Sequence, residues 1–337
     1  MINITAMMTK LDTAREEYKD WCRVVGIDSL KALNASLEAG KGVELINLCE
    51  ARQERKYAGI ANQIFWNRES KRIVMMSGPS SSGKTSSSLR IAQQCRVLGL
   101  TPKVIELDNY FVDRSRNPRD ENGEYDFEAL GAMDIDLLNS QLADLLEGRE
   151  VELPHFNFVE GRQERSGKFL RLGPGDILMM EGIHALNPAL TPRIDQSRIF
   201  KVYISALSSM GDGEKFHGST TDKRLLRRIV RDSRTRGASP EDTIVRWPSV
   251  RRGEERNIFP YEENADAVFN SSMLYDVPLL KYYAEPLLFG IREGSPAYAK
   301  AQSLLDLTGR VRALTPAEIA AIPPTSIMRE FIGGQTL

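Results

Sequence analysis

Ser77-Gly78-Pro79-Ser80-Ser81-Ser82-Gly83-Lys84-Thr85 decides how this chain folds. Its spacing, G-x-x-x-x-G-K-T, is that of a loop whose backbone amides wrap phosphate. Arg72-Ile73-Val74-Met75-Met76 precedes it, short and apolar, as a buried strand would be. After it Ile91, Cys95 and Leu98 recur at i, i+4, i+7, one face of a helix. Strand, glycine loop and helix form the context that this motif requires. Gly78 and Gly83 permit a backbone path that side chains would block. That path turns successive N–H groups inward, and the helix N-terminus adds partial positive charge. Gly78, Pro79, Ser80, Ser81, Ser82, Gly83, Lys84, Thr85 and Ser86 are the expected phosphate cradle. Lys84 would reach the outer phosphates of a nucleotide, and the Thr85 hydroxyl would hold Mg²⁺. The competing reading is a Gly/Ser-rich turn, which rarely carries the Lys-Thr pair in this setting.

Outward from the loop, strand and helix patterns alternate. The strand at 72–77 leads to a helix at 84–98, then a strand at 103–107. A polar loop over 113–125 contains the turn signals Asn117-Pro118-Arg119-Asp120 and Glu121-Asn122-Gly123. A helix over 134–147 buries Leu138, Leu142 and Leu145 and stops at Gly148. A polar hairpin is expected over 161–172, with apolar strands at 176–180 and 200–204. An arginine-rich helix follows at 221–235, a shorter helical stretch runs from Pro240 to Arg251-Arg252, and a late strand at 265–269. This alternation predicts an α/β fold, a parallel sheet covered by helices on both faces. Ligands of such sheets bind beyond the carboxyl ends of the strands.

Residues 1–68 read as a helical N-terminal extension. Leu11, Ala14 and Tyr18 share one helix face; Leu30, Leu33 and Leu37 share another; a longer pattern runs from Val43 to Ile64 after a break at Gly40-Lys41-Gly42. Residues 69–290 form the phosphate-loop domain, with a lid over about 207–258. Residues 291–337 form a helical tail broken at Ile322-Pro323-Pro324.

The bulk composition narrows the class. A net charge of −1 over 337 residues gives no gross attraction to nucleic acid or anionic membrane. Cys22, Cys49 and Cys95 are odd in number and in no metal spacing, which suits a reducing compartment. No signal-peptide core begins the chain and no apolar run reaches membrane-span length, so a cytoplasmic protein is expected.

Four groups of residues could carry chemistry. Asp108 follows the strand at 103–107. If that strand neighbours the loop strand, its carboxylate opens toward the transferable phosphate and can accept a proton from a substrate hydroxyl; the alternative is a cap on the next turn. Glu181 ends the strand at 176–180, placed to hold Mg²⁺ or its water; the alternative is a buried structural carboxylate. Arg224, Arg228 and Arg231 share a helix face, with Arg227, Arg234 and Arg236 widening a basic surface. Guanidinium forks match phosphate oxygens, so this helix reads as a lid over phosphates, with a nucleic-acid surface as the rival. His155, His184 and His217 form no site by spacing; His184 follows the acidic strand end and could reach a ligand, or could simply pack.

In order, the motifs are the phosphate loop, Leu107-Asp108-Asn109-Tyr110-Phe111, Leu153-Pro154-His155-Phe156-Asn157-Phe158, Met180-Glu181-Gly182-Ile183-His184, and Arg227-Arg228-Ile229-Val230-Arg231-Asp232. Over roughly residues 70–285 this set resembles the phosphoribulokinase/uridine kinase family of P-loop kinases. Residues 1–69 and the tail resemble a bacterial uridine kinase-like branch, as do Glu124-Tyr125-Asp126-Phe127-Glu128-Ala129-Leu130, Arg246-Trp247-Pro248-Ser249-Val250-Arg251-Arg252-Gly253-Glu254-Glu255 and Arg329-Glu330-Phe331-Ile332-Gly333-Gly334. The resemblance implies transfer of the ATP γ-phosphate to a nucleoside 5′-hydroxyl, with uridine as the favoured acceptor. It makes Asp108 the base, Lys84 and Thr85 the phosphate and Mg²⁺ ligands, Glu181 a second metal residue, and Arg228 and Arg231 lid arginines. Tyr110, Phe156, Asn157, His184 and Arg228 are the acceptor-contact candidates. Family positions that contact the nucleoside differ here, where Gly131, Phe156, Gly161 and Ala238 stand. These differences bear on the acceptor rather than on phosphoryl transfer. A kinase of another sugar or vitamin alcohol, or a nucleotide-binding regulatory module, stays open. The expected partners are a small-molecule acceptor and, in a homo-oligomer, a second copy of the chain; neither membrane nor nucleic acid is expected.

Overall fold

The computed structural model describes residues 8–119, 123, 125–207 and 220–337. Residues 120–122 and 124 of the expected polar loop lie outside them, as do residues 208–219 at the start of the expected lid, His217 among them.

Seven strands are present among the described residues: β1 Ile73–Ser77, β2 Thr101–Glu106, β3 Val151–Asn157, β4 Arg162–Leu170, β5 Asp176–Glu181, β6 Ile199–Ser205 and β7 Ala267–Asn270. Helices α1 Lys10–Val24, α2 Leu30–Glu38 and α3 Gly42–Asn67 precede them; α4 Lys84–Val97 and α5 Ile135–Leu146 cross between strands. Helices α6 Thr220–Thr235, α7 Pro240–Asn257 and α8 Asp276–Phe289 follow, then α9 Tyr298–Gly309, α10 Pro316–Ala320 and α11 Arg329–Ile332.

Five strands form one parallel sheet in the order β2-β5-β1-β6-β7. All of β1 is buried, because it lies between β5 and β6 and has helices on both faces. Its side chains alternate. Val74 and Met76 join Tyr57, Ile60, Ile91 and Cys95 from α3 and α4, while Ile73 and Met75 join Leu138, Leu142 and Leu145 from α5. The apolar run is continuous because neither face meets water. The phosphate loop leaves the carboxyl end of this central strand, which fixes the site at that edge.

One condition fails and one expectation needs correction. Strand β2 does not neighbour β1, since β5 lies between them. The polar hairpin over 161–172 is only part of the real one: β3 pairs antiparallel with β4, Asn157 opposite Arg162, so Gly161 lies in the turn and Val151–Asn157 forms the other arm. A register shift between Glu152 and Pro154 breaks the alternation by which that arm would be recognised.

The outer helices build a second core. Tyr18, Leu33 and Ile46 of the first helices meet Leu226 and Ile229 of α6, Leu279 of α8, and Met328 and Phe331 of the tail. Each fully buried side chain of this size contributes about 1.5–3 kcal/mol relative to exposure, so the tail is anchored by burial rather than trailing.

The arginine helix also differs from its expected form. Arg227 is not on a basic surface: it is fully buried and reaches both carboxylate oxygens of Asp276, at 2.9 and 2.7 Å. Arg224 is buried too, paired with Glu254. Its Nε donates to the Ser80 carbonyl at 2.9 Å. Two of the six arginines of the expected basic surface are therefore internal scaffolding, which narrows that surface.

Candidate active site

The phosphate loop is shaped by close contacts on both sides. A Cβ on Gly78 would lie 1.9 Å from the Ile204 carbonyl oxygen, so β6 permits only glycine there. Gly83 has φ of +84° and precedes α4 directly. Lys84 opens that helix and donates from Nζ to the carbonyls of Gly78 at 2.9 Å and Pro79 at 3.3 Å. Ser81 and Ser82 are buried beneath the loop, with no partner for either hydroxyl among the described residues.

A cavity of about 170 Å³ opens above the loop, bounded by Ser80, Ser81, Gly83, Lys84 and Thr85. Asp108, Glu128, Glu181, Glu254 and Glu330 bring carboxylates to its wall, and Arg231 and Arg236 bring guanidinium groups. Asp108 enters from the short turn Leu107–Tyr110 after β2, even though β2 is one strand removed from β1. Its carboxyl opens to the cavity within walls of protein, and this burial raises its pKa, opposed by Lys84 and assisted by Glu106. Glu181 closes β5 and accepts from Thr85 Oγ1 at 2.8 Å. Burial pushes its pKa up to about 7, with Lys84 opposing and Asp108 reinforcing the rise.

A second cavity, of about 500 Å³, shares Glu128 and Val250 with the first. Its wall carries Arg228, Arg246, Arg252 and Arg256, with Tyr125 and Phe127. Arg228 reaches back to the loop, donating from Nη1 to Ser80 Oγ at 2.8 Å. Together the cavities offer a phosphate end rich in amides and carboxylates and a neighbouring chamber with room for a second reactant.

The family profile described as phosphoribulokinase/uridine kinase matches residues 73–278, more than half of the chain. The chain belongs to this family. It is a phosphotransferase that uses an alcohol as acceptor. Among curated relatives, it is 30% identical over 205 residues to a uridine kinase of Ligilactobacillus salivarius, covering 60% of this chain and 86% of that one. It is 31% identical over 198 residues to a uridine kinase of Staphylococcus carnosus, covering 58% and 85%. A solved structure titled a possible uridine kinase from Bacillus stearothermophilus aligns with 20% identity and a TM-score of 0.41, over 64% of this chain and 98% of the other.

Of the residues singled out in the kinase sequence, Ser80, Ser81, Gly83, Lys84, Thr85, Asp108, Glu181 and Arg231 meet around the first cavity. Arg228 borders the second. Tyr110, Phe156, Asn157 and His184 border neither of these two cavities. The Tyr110 hydroxyl donates to Gln141. Phe156 packs edge-on against Phe111 and Phe158. The Asn157 side chain accepts from the amides of Val159 and Glu160 in the hairpin turn. His184 is buried, which pushes its pKa down to about 4, so it is neutral near pH 7.

Three further carboxylates, to which the sequence assigned no role, reach the cavity wall. Glu128 lies between the two cavities, and burial pushes its pKa up to about 7 against the attraction of Arg228. Gly253 of α7 packs so closely on Glu128 that a Cβ would lie 2.7 Å from the glutamate Cβ. Glu254 accepts from the Ser80 amide at 2.9 Å. Glu330 arrives from the tail. The three lie far apart in the chain, at 128, 254 and 330, and only the fold brings them to one cavity.

Proposed function

We propose that this kinase transfers the γ-phosphate of ATP to a hydroxyl of a small alcohol held in the second cavity, with Mg²⁺ at Thr85 and Glu181. The observation that carries the proposal is the convergence of Lys84, Thr85, Asp108 and Glu181 on one cavity at the end of the central strand. Lys84 offers its ammonium to the outer phosphates, and the loop amides hold the inner ones. Asp108 receives the proton of the acceptor hydroxyl as it attacks; a carboxyl with a raised pKa is the better base for that task. Arg228 and Arg231 supply guanidinium groups to the transferring phosphoryl oxygens.

The donor set suits Mg²⁺, a hard cation that takes oxygen ligands and keeps water. Two oxygen donors lie 2.8 Å apart, and the carboxylate among them is driven toward protonation in the absence of positive charge. No three His, Cys, Asp or Glu side chains among the described residues converge into a complete cage. Thr85 and Glu181 would hold the Mg²⁺, which would supply positive charge against the charge that develops on the phosphates.

The relatives named uridine kinase support uridine as the first acceptor to try. Phosphate transfer measured as ADP release, across nucleosides, sugars and hydroxy acids at fixed ATP, tests the proposal. Turnover with one class and not the others defines the acceptor. ATP binding with no acceptor-dependent turnover in any class would overturn the kinase reading in favour of a nucleotide-binding module.

A further inference from the structure

The tail touches the phosphate loop itself. Ile327 Cδ1 lies 2.2 Å from where a Cβ on Gly83 would sit, so the loop glycine and the tail isoleucine share one space. Beyond Ile327, Met328 and Phe331 are fully buried in the helical core, which fixes the short helix α11 in place. Glu330, between them, faces the first cavity. Its Oε2 accepts from the Ser86 hydroxyl at 2.5 Å and, at a longer 3.4 Å, from the Ser86 amide. Gln335 Nε2 donates to the same hydroxyl at 2.7 Å.

Ser86 is the third residue of α4. Its N–H belongs to the first turn, where backbone donors have no partner inside the helix. The next amide, Ser87 N–H, is already satisfied by the Gly83 carbonyl at 3.0 Å. First-turn donors after a glycine loop are those offered to phosphate, and the helix end favours any anion placed there. Glu330 therefore sets a carboxylate where a phosphate oxygen would be received.

A second loop amide is held in the same way, and the contrast is informative. Ser80 N–H donates to Glu254, but Glu254 is buried and bound by Arg224 and Arg251. Its charge is balanced, so it can stay when an anion arrives. Glu330 has no Lys, Arg or His in ion-pair contact among the described residues. It is half-buried beside Glu181, whose pKa its charge helps to raise. Bringing a polyphosphate to Ser86 places like charges together unless Glu330 withdraws.

We propose that Glu330 is an affinity-setting residue of the nucleotide site: it occupies the place of a phosphate on Ser86 and must be displaced for nucleotide to bind. The inference rests on the reading of this loop as an ATP site. Arg234 of α6 donates to the backbone carbonyls of Glu330 at 3.5 Å and Phe331 at 3.3 Å. The backbone that carries Glu330 is thus also anchored to the helix that carries Arg228 and Arg231, so the side chain of Glu330 is what must turn away.

The test is calorimetric binding of MgADP to the full chain, to Glu330→Gln and to Glu330→Ala. The glutamine variant keeps the size and one acceptor oxygen and removes the charge, which guards against a folding defect. The inference predicts MgADP binding tighter by about 5-fold to 20-fold in both variants, the scale of one charged hydrogen bond at such a site. It also predicts binding by the variants even if the unaltered protein binds too weakly to measure. Unchanged or weaker binding, with or without a lower melting temperature, overturns it and leaves Glu330 as a cap on α4. In that case the ATP-site reading survives so long as the unaltered protein binds MgADP. Failure of all three proteins to bind overturns both.

Discussion

Thr85 Oγ1 donates to Glu181 Oε1 at 2.8 Å, joining the first turn of the loop helix to the end of the neighbouring strand. The contact puts a hydroxyl and a carboxylate side by side, where each can turn to a cation. It also makes the pair sensitive to pH. Burial raises the Glu181 pKa to about 7; Asp108 and Glu330 add to the rise, and Lys84 and the Thr85 hydroxyl oppose it. Glu128 is raised to about 7 as well.

A raised carboxyl pKa means that the folded state holds its proton more tightly than the unfolded chain does. The stability so gained is complete below the ordinary carboxylate range and is lost as pH rises through about 7. The melting temperature of the nucleotide-free protein should therefore fall between about pH 5 and pH 7.5. Cation binding requires the ionised form, so MgADP affinity should rise over the same window, by roughly tenfold between pH 5.5 and 6.5. Calorimetry across pH measures both. Flat profiles would show that Glu181 does not titrate there.

Lys84→Ala removes the ammonium proposed to reach the outer phosphates while leaving α4 intact, since alanine favours helix. ATP turnover should drop by at least about 10³-fold with an unchanged circular dichroism spectrum. Turnover at the original rate would mean that the active loop lies elsewhere.

Arg227→Ala leaves Asp276 buried and unpaired. Loss of one partner of a buried pair costs about 3–5 kcal/mol, and urea denaturation should show it. Arg227→Leu with Asp276→Asn should recover part of that loss. A cost under about 1 kcal/mol would mean that the pair is solvated.

Arg246 borders the second cavity, proposed for the acceptor, and not the first. Arg246→Ala should raise KM for the acceptor by about 10-fold, the scale of one charged hydrogen bond, with KM for ATP little changed. A rise confined to KM for ATP would assign that cavity to the nucleotide.

What the sequence disclosed was local. The run through β1 and the glycine loop are each set by a few consecutive residues, so strand, loop and helix could be read directly. The parallel sheet followed from alternation. Features that depend on distant partners were hidden. Arg227 looks exposed by helical spacing; Asp276, 49 residues away, and the Ser271 carbonyl make its burial tolerable. Glu330 meets Ser86 across 244 residues, through a tail whose anchoring depends on packing against α6. Asp108 was found for an incomplete reason: its strand is one place further out, and the turn after β2 carries the side chain back over β5.

The most direct test of the account is the rate of phosphate transfer by Asp108→Asn under single-turnover conditions, measured beside its affinity for MgATP. Asparagine keeps the shape and cannot accept the acceptor's proton. The account predicts a rate loss of about 10²–10⁴-fold with MgATP affinity within about threefold of the original, because Asp108 acts on the attacking hydroxyl. An unchanged rate, or an equal loss in rate and affinity, would contradict it and leave Asp108 as part of the cavity wall.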